Sequence, residues 1–132
     1  MNIRPVSDLV AEANAQIETI AIDQAAAMLH DDSVQFVDIR DVREVWREGT
    51  IPGAQHAPRG MLEFWFDPAC KYHRPEFAED KTYLLFCASA WRSALAAKAL
   101  TDMGFTNVAH IDGGFSAWVE AGHPVEERSK TK

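Results

Sequence analysis

Short apolar runs alternate along the chain with stretches whose apolar positions recur at helical spacing, a pattern that predicts an α/β domain. Val34, Phe36, Val37 and Ile39 make Ser33 to Ile39 a buried strand. Tyr83 to Phe86 and Asn107 to Ile111 read the same way, and Thr19-Ile20-Ala21 and Gln55-His56-Ala57 as briefer strands. Helical spacing covers residues 5–18 through Val6, Leu9, Val10, Ala13 and Ile17. It recurs from Ala25 to Leu29 with Asp23 as cap, from Asp41 to Glu48 anchored by Val45 and Trp46, and from Ser93 to Leu100. Gly104 ends that last helix, Gly113-Gly114 turns the chain, and Phe115 to Ala121 is a final short helix. Pro58 to Phe66 suits a short helix, whereas Asp67 to Asp80, broken by Pro68 and Pro75, reads as an irregular surface loop. Strands alternating with helices imply a parallel sheet with helices on both faces.

The length of 132 residues suits one domain with a single core. Residues 1–18 read as a helical extension packed on it, with partner binding as the sharper alternative, 19–125 as the domain itself and 126–132 as a charged, frayed tail. No apolar run approaches the roughly 20 residues of a membrane span, and no secretory signal opens the chain, so a cytoplasmic protein without membrane partners is expected. The net charge of −7 argues against nucleic acid and means that an anionic substrate must be attracted locally. Oligomeric state is not legible.

Chemistry concentrates where the apolar run Tyr83 to Phe86 stops at Cys87, with Arg92 following and a helix starting behind it. The N–H groups of Ala88, Ser89, Ala90, Trp91 and Arg92 can converge on an anion there, and a helix start favours thiolate over thiol. Cys87 is therefore expected at the exposed carboxyl edge of the sheet as a nucleophile, with Arg92 as a fixed positive charge. Ser93 either donates to the thiolate or satisfies the helix start. Trp91 lines the pocket, covers the loop, or packs against Phe64 or Trp65. Asp38 and Arg40 close the Ser33 to Ile39 strand at an edge where ligands bind in open α/β sheets, or begin a solvated loop. Cys70 is an incidental surface thiol or a resolving partner for Cys87. Cys70, His73 and Cys87 lack the paired spacings of a zinc site, so no metal is expected.

Four segments together resemble a known family. They are Val37-Asp38-Ile39-Arg40, Gly49-Thr50-Ile51-Pro52-Gly53-Ala54, Cys87 to Ser93, and Gly104-Phe105-Thr106-Asn107-Val108 with Gly113-Gly114-Phe115-Ser116-Ala117-Trp118. In this order, over about Ile20 to Val125, the chain resembles a single-domain rhodanese-like (thiosulfate sulfurtransferase-like) protein. The resemblance implies a five-stranded parallel sheet and a ping-pong sulfur transfer through a Cys87 persulfide, without cofactor. A small anionic donor such as thiosulfate would give up sulfur to cyanide or a thiol, including a protein thiol. It implies that Asp38 supports the active-site loop. Arg59 falls in a Pro-Arg-Gly-x-Leu-Glu-Phe segment similar to that of a plant and bacterial subgroup, as a second anion contact or a plain surface arginine. The family's phosphatase relatives carry a loop one residue longer, and histidine where Phe86 stands, which argues against phosphatase chemistry. The family's common histidine before Ile-Pro-Gly-Ala is Thr50 here, and many members have glycine at Ala90. If Ala90 needs φ > 0, its side chain costs on the order of 1 kcal/mol. Two other readings compete: a sulfur-relay or regulatory binding module without turnover, and a thiol redox sensor built on Cys70 and Cys87.

Overall fold

The apolar run before Cys87 forms the middle of the sheet. In the computed structural model, which describes residues 1–129, five strands form: β1 (Glu18–Ile20), β2 (Val34–Asp38), β3 (Gln55–His56), β4 (Thr82–Phe86) and β5 (Val108–Ile111). They pair in the order β1-β5-β4-β2-β3, every pair parallel. β4 lies between β5 and β2, so successive residues alternate between two buried faces. Tyr83, Leu85 and Cys87 face one core cluster with Leu62, Phe66, Phe77, Ala97 and Leu100. Leu84 and Phe86 face the other, with Phe36, Ile111, Phe115 and Trp118.

Six helices connect and cover the strands: α1 (Val6–Gln16), α2 (Ile22–Ala27), α3 (Val42–Glu48), α4 (Leu62–Phe66), α5 (Trp91–Asp102) and α6 (Gly114–Glu120). α1 lays Val10 and Ala13 against Ala94 of α5, and small residues on both helices permit that approach. Asp41 caps α3 in a reciprocal capping box with Glu44. α5 stops at Asp102, and Gly104 adopts φ +107 just beyond.

Local details differ from expectation. Asp23 does not cap α2; Ala21, in extended conformation, holds the cap position and Asp23 sits in the first turn. Trp46 does not anchor α3, because Val45 turns inward while Trp46 stays 40% exposed. The segment 67–80 is not wholly superficial. Phe77 is buried and stacks on Phe66 at 4.7 Å, and the Tyr83 hydroxyl receives the Glu79 N–H and donates to the Glu76 carbonyl.

The expected free tail is corrected at its start. Glu126 exchanges backbone hydrogen bonds with Thr50 (2.9 and 2.8 Å), and its carboxylate receives the Gly53 N–H and Arg128. Residues 130–132 of that segment lie outside the described residues. Among the described residues no helix is long and apolar enough to cross a membrane.

Candidate active site

β4 delivers Cys87 to its carboxyl end, and the chain then folds over the sulfur. The Ala90 N–H reaches Sγ at 3.2 Å and the Ser93 N–H at 3.4 Å. The thiol lies 3.7 Å from Ser93 Oγ. This convergence depends on Ala90, which turns the loop with φ +77 and ψ −2 immediately before α5. The condition set on Ala90 is met: it lies in the left-handed region, and among the described residues it is the one non-glycine there.

Cys87 was expected to be exposed and is not: it is 1% accessible, because its side chain points toward α5 on the inner face of the loop. The carbonyls of the same loop point the other way. Phe115 N–H donates to the Cys87 carbonyl at 2.7 Å and Ser116 N–H to the Ala88 carbonyl at 3.0 Å. Gly114 makes this contact possible, since a Cβ there would lie 2.5 Å from the Cys87 oxygen. The helix start of α6 thereby takes up the loop's carbonyls, while two of its N–H groups face the sulfur.

Arg92 occupies a different setting from the one anticipated. Its guanidinium forks onto Glu44 of α3, with 2.8 and 3.0 Å contacts, instead of standing open beside the thiol. That fork holds the Glu44 carboxyl below its ordinary range and the Arg92 guanidinium above its own, and proximity to Cys87 adds slightly to the latter. Arg59 likewise pairs with Glu63 at 2.7 Å, one turn along the chain. Both arginines that sequence marked as anion contacts therefore carry a carboxylate partner. Trp91 is half exposed at the start of α5, Ser89 is exposed and Ala88 is half-buried.

Asp38 and Arg40 are wholly buried, not the opening of a solvated loop. Arg40 Nη2 meets Asp38 Oδ2 at 2.8 Å and the Gly49 carbonyl at 2.6 Å, while Nη1 meets Glu48. Thr50 donates its hydroxyl to Asp38 at 2.7 Å. Arg40 also lies over the Phe115 ring at 4.3 Å, and Phe115 N–H holds the Cys87 carbonyl. The Asp38–Arg40 pair thus reaches the thiol loop through α6.

Three residues with a part in this arrangement were missed in the sequence. Glu44 carried a signal only as the third residue of a capping box. Gly114 was read as a turn and not as a close approach. His110, a lone histidine in an apolar strand, is buried, with Nδ1 2.8 Å from Ser93 Oγ. Cys70 is half-buried, with its sulfur accepting the Tyr72 N–H. Cavities of about 580 and 550 Å³ flank Trp46 beside the C-terminal segment, and neither borders Cys87.

An open parallel sheet with a thiol-led loop at the carboxyl end of its middle strand, closed by the start of the last helix, defines the class of domain. The model of the rhodanese-like domain matches residues 21–121, and the chain belongs to that family. It is 33% identical over 102 residues to the thiosulfate sulfurtransferase GlpE of Shewanella oneidensis, covering 77% of this chain and 92% of that protein. It is 30% identical over 124 residues to the rhodanese-like domain-containing protein 17 of Arabidopsis thaliana, covering 87% of this chain and 76% of that one. Among solved structures, it is similar to a protein of unknown function from Rhodopseudomonas palustris, described as a possible tyrosine phosphatase. That likeness has a TM-score of 0.91 and 48% identity, over 96% of this chain and 97% of the other.

Proposed function

We propose that this protein is a sulfurtransferase in which Cys87 carries a sulfane sulfur from thiosulfate, or a donor of similar chemistry, to a thiol or cyanide. The observation that carries this reading is the position of Cys87 Sγ under the Ala90 and Ser93 N–H groups at the end of the central strand. The likeness to a thiosulfate sulfurtransferase supports the choice of donor. In the first step the thiolate attacks the outer sulfur of the donor. A new S–S bond forms at Cys87, the donor's S–S bond breaks, and sulfite leaves with the electron pair. In the second, an acceptor thiolate or cyanide attacks the outer persulfide sulfur and returns the Cys87 thiolate.

The two N–H groups stabilise negative charge on Sγ in both steps. Arg92 meets the donor's anionic end after parting from Glu44, and Ala88, Ser89 and Trp91 line the approach. Arg59 stands further out, paired with Glu63. Asp38 and Arg40 hold the loop's backbone through α6, and Ser93 donates its backbone N–H to the sulfur. Burial of Cys87 favours a donor that offers its sulfur on a narrow end.

Incubation with thiosulfate followed by intact mass measurement tests the reading. The protein should gain one sulfur atom, lose it to cyanide, and gain none as Cys87→Ala. Absence of the adduct on a folded, reduced protein would overturn it. p-Nitrophenyl phosphate turned over by the same preparation in a Cys87-dependent way would place the chemistry with phosphatases instead.

A further inference from the structure

A line of polar groups runs from the buried sulfur through the sheet's edge to the surface. Cys87 S–H lies 3.7 Å from Ser93 Oγ, and Ser93 Oγ lies 2.8 Å from His110 Nδ1. His110 Nε2 lies 3.1 Å from both Asn14 Oδ1 of α1 and Thr19 Oγ1 of β1. Thr19 is the register partner of His110 in the parallel pairing, and Thr19 and Asn14 are both exposed. The two ends of the line differ in access: Cys87, Ser93 and His110 are each at most 1% exposed.

From this geometry we infer that His110 is a positioning residue that carries the Cys87 proton to the surface by exchanging one neutral tautomer for the other. The inference rests on the reading of Cys87 as the nucleophile. A carbonyl oxygen only accepts, so Asn14 Oδ1 sets the resting ring proton on Nε2 and leaves Nδ1 to accept from Ser93. In that state the Ser93 proton goes to Nδ1 at 2.8 Å in preference to the Ala90 carbonyl at 3.3 Å, and the Ser93 lone pair receives the thiol.

Ionisation then balances along the line. The thiol proton passes to Ser93 Oγ, the Ser93 proton to His110 Nδ1, and the Nε2 proton out to solvent past the exposed Asn14 and Thr19. The electron pair of the S–H bond stays on sulfur, and nothing is oxidised or reduced. The ring ends neutral with its proton on Nδ1, which donates to Ser93. The Ser93 hydroxyl then donates to the thiolate, and the Thr19 hydroxyl can donate to Nε2.

The surroundings suit a ring that never takes a full charge. Burial holds His110 below its ordinary protonation range, with Asp112 at the end of the same strand pulling weakly the other way. Its neighbours on the facing elements are uncharged: Ser93 from α5, Thr19 from β1, Asn14 from α1, and Leu85 paired with it on β4. Cys87 and Asp112 are the titratable groups that act on the line, and the Arg92 guanidinium, paired with Glu44, acts on its sulfur end. A satisfied core histidine needs one fixed tautomer, whereas a relay needs two.

Nitrogen-15 NMR of the histidine rings in the full chain, as Cys70→Ser to leave one thiol, separates these. Raising the pH through Cys87 ionisation should move His110 from the Nε2–H to the Nδ1–H form without an imidazolium stage. Iodoacetamide alkylation gives a second reading. Its pH profile in His110→Asn should move upward by about one unit, slowing the rate at neutral pH about tenfold. A single His110 tautomer on both sides of the ionisation overturns the inference, as does an unmoved alkylation profile in the folded variant. Should His110→Asn not fold, the tautomer measurement decides alone. Neither measurement uses a sulfur donor, so failure of sulfur transfer leaves this test intact.

Discussion

Replacing Ala90 by glycine should stabilise the protein. Ala90 holds φ +77 and ψ −2, where an L-residue's Cβ crowds the following carbonyl oxygen. That crowding costs roughly 1–2 kcal/mol. Glycine removes it but brings greater freedom to the unfolded chain, a penalty of about 0.5–1 kcal/mol. The difference favours glycine by about 0.5–1 kcal/mol, a rise of roughly 2–5 °C in Tm for a chain of this size. The N–H that donates to Sγ is backbone and survives the change, so Cys87 should keep its donor. Calorimetry of the reduced protein, compared with Ala90→Val, is the assay. Val adds a second branch at a left-handed position and should melt below the parent. An Ala90→Gly protein that melts at or below the parent temperature would refute the claim that this position is strained.

Other expectations follow from the pairs around the loop. Asp38→Ala leaves Arg40 buried without its principal carboxylate and should cost about 3–5 kcal/mol in urea titration; a loss below about 1 kcal/mol would contradict the burial argument. Glu44→Gln keeps the capping box but releases Arg92 and removes a negative charge from the approach. The KM for thiosulfate should fall about two- to fivefold in steady-state assays, and an unchanged or higher KM would count against Arg92 as an anion contact. Stability should also decline on mild acidification. Burial holds His110 below its unfolded value of 6.5, so below that pH the unfolded chain binds a proton the native one refuses. The contribution is fully present above pH 6.5 and shrinks as pH falls toward the depressed native value, before the lowered carboxylates near or below 4.5 take effect. Melts from about pH 7.5 to 5 should show this slope, reduced in His110→Asn.

The sheet was legible because its strands are buried on both faces and so write themselves as unbroken apolar runs, Tyr83 to Phe86 above all. The placement of Cys87 was legible for a related reason: a thiol directly between such a run and a helix has few other places to go than the end of the central strand. What could not be read were pairings across distance. Arg92 and Glu44 lie 48 positions apart, and only the fold decides that the guanidinium meets a carboxylate before it meets a substrate. The burial of Cys87 depends on the loop's turn at Ala90, where sequence could state the condition but not whether it was met. Glu126 was read as tail because charge predicts solvent, yet its backbone pairs with Thr50 and contributes nothing to a hydropathy pattern. His110 was passed over as one polar residue in an apolar strand, because its partners come from α5, α1 and β1 and are invisible along the chain.

The contact between α6 and the thiol loop bears on how this domain can change over evolutionary time. The peptide groups of the loop are sorted mainly by backbone, with the Cys87 and Ala88 carbonyls given to Phe115 and Ser116 and the Ala90 and Ser93 N–H groups turned to sulfur. Side chains at Ala88, Ser89 and Trp91 take no part in that sorting. They are free to vary with the donor or acceptor while the electrostatic environment of Cys87 is inherited unchanged. Gly114 is the opposite case, since any side chain there would displace the helix that does the sorting. Drift in side-chain chemistry should therefore collect within the loop, and intolerance to substitution further along the chain at Gly114, which meets the loop through its carbonyls.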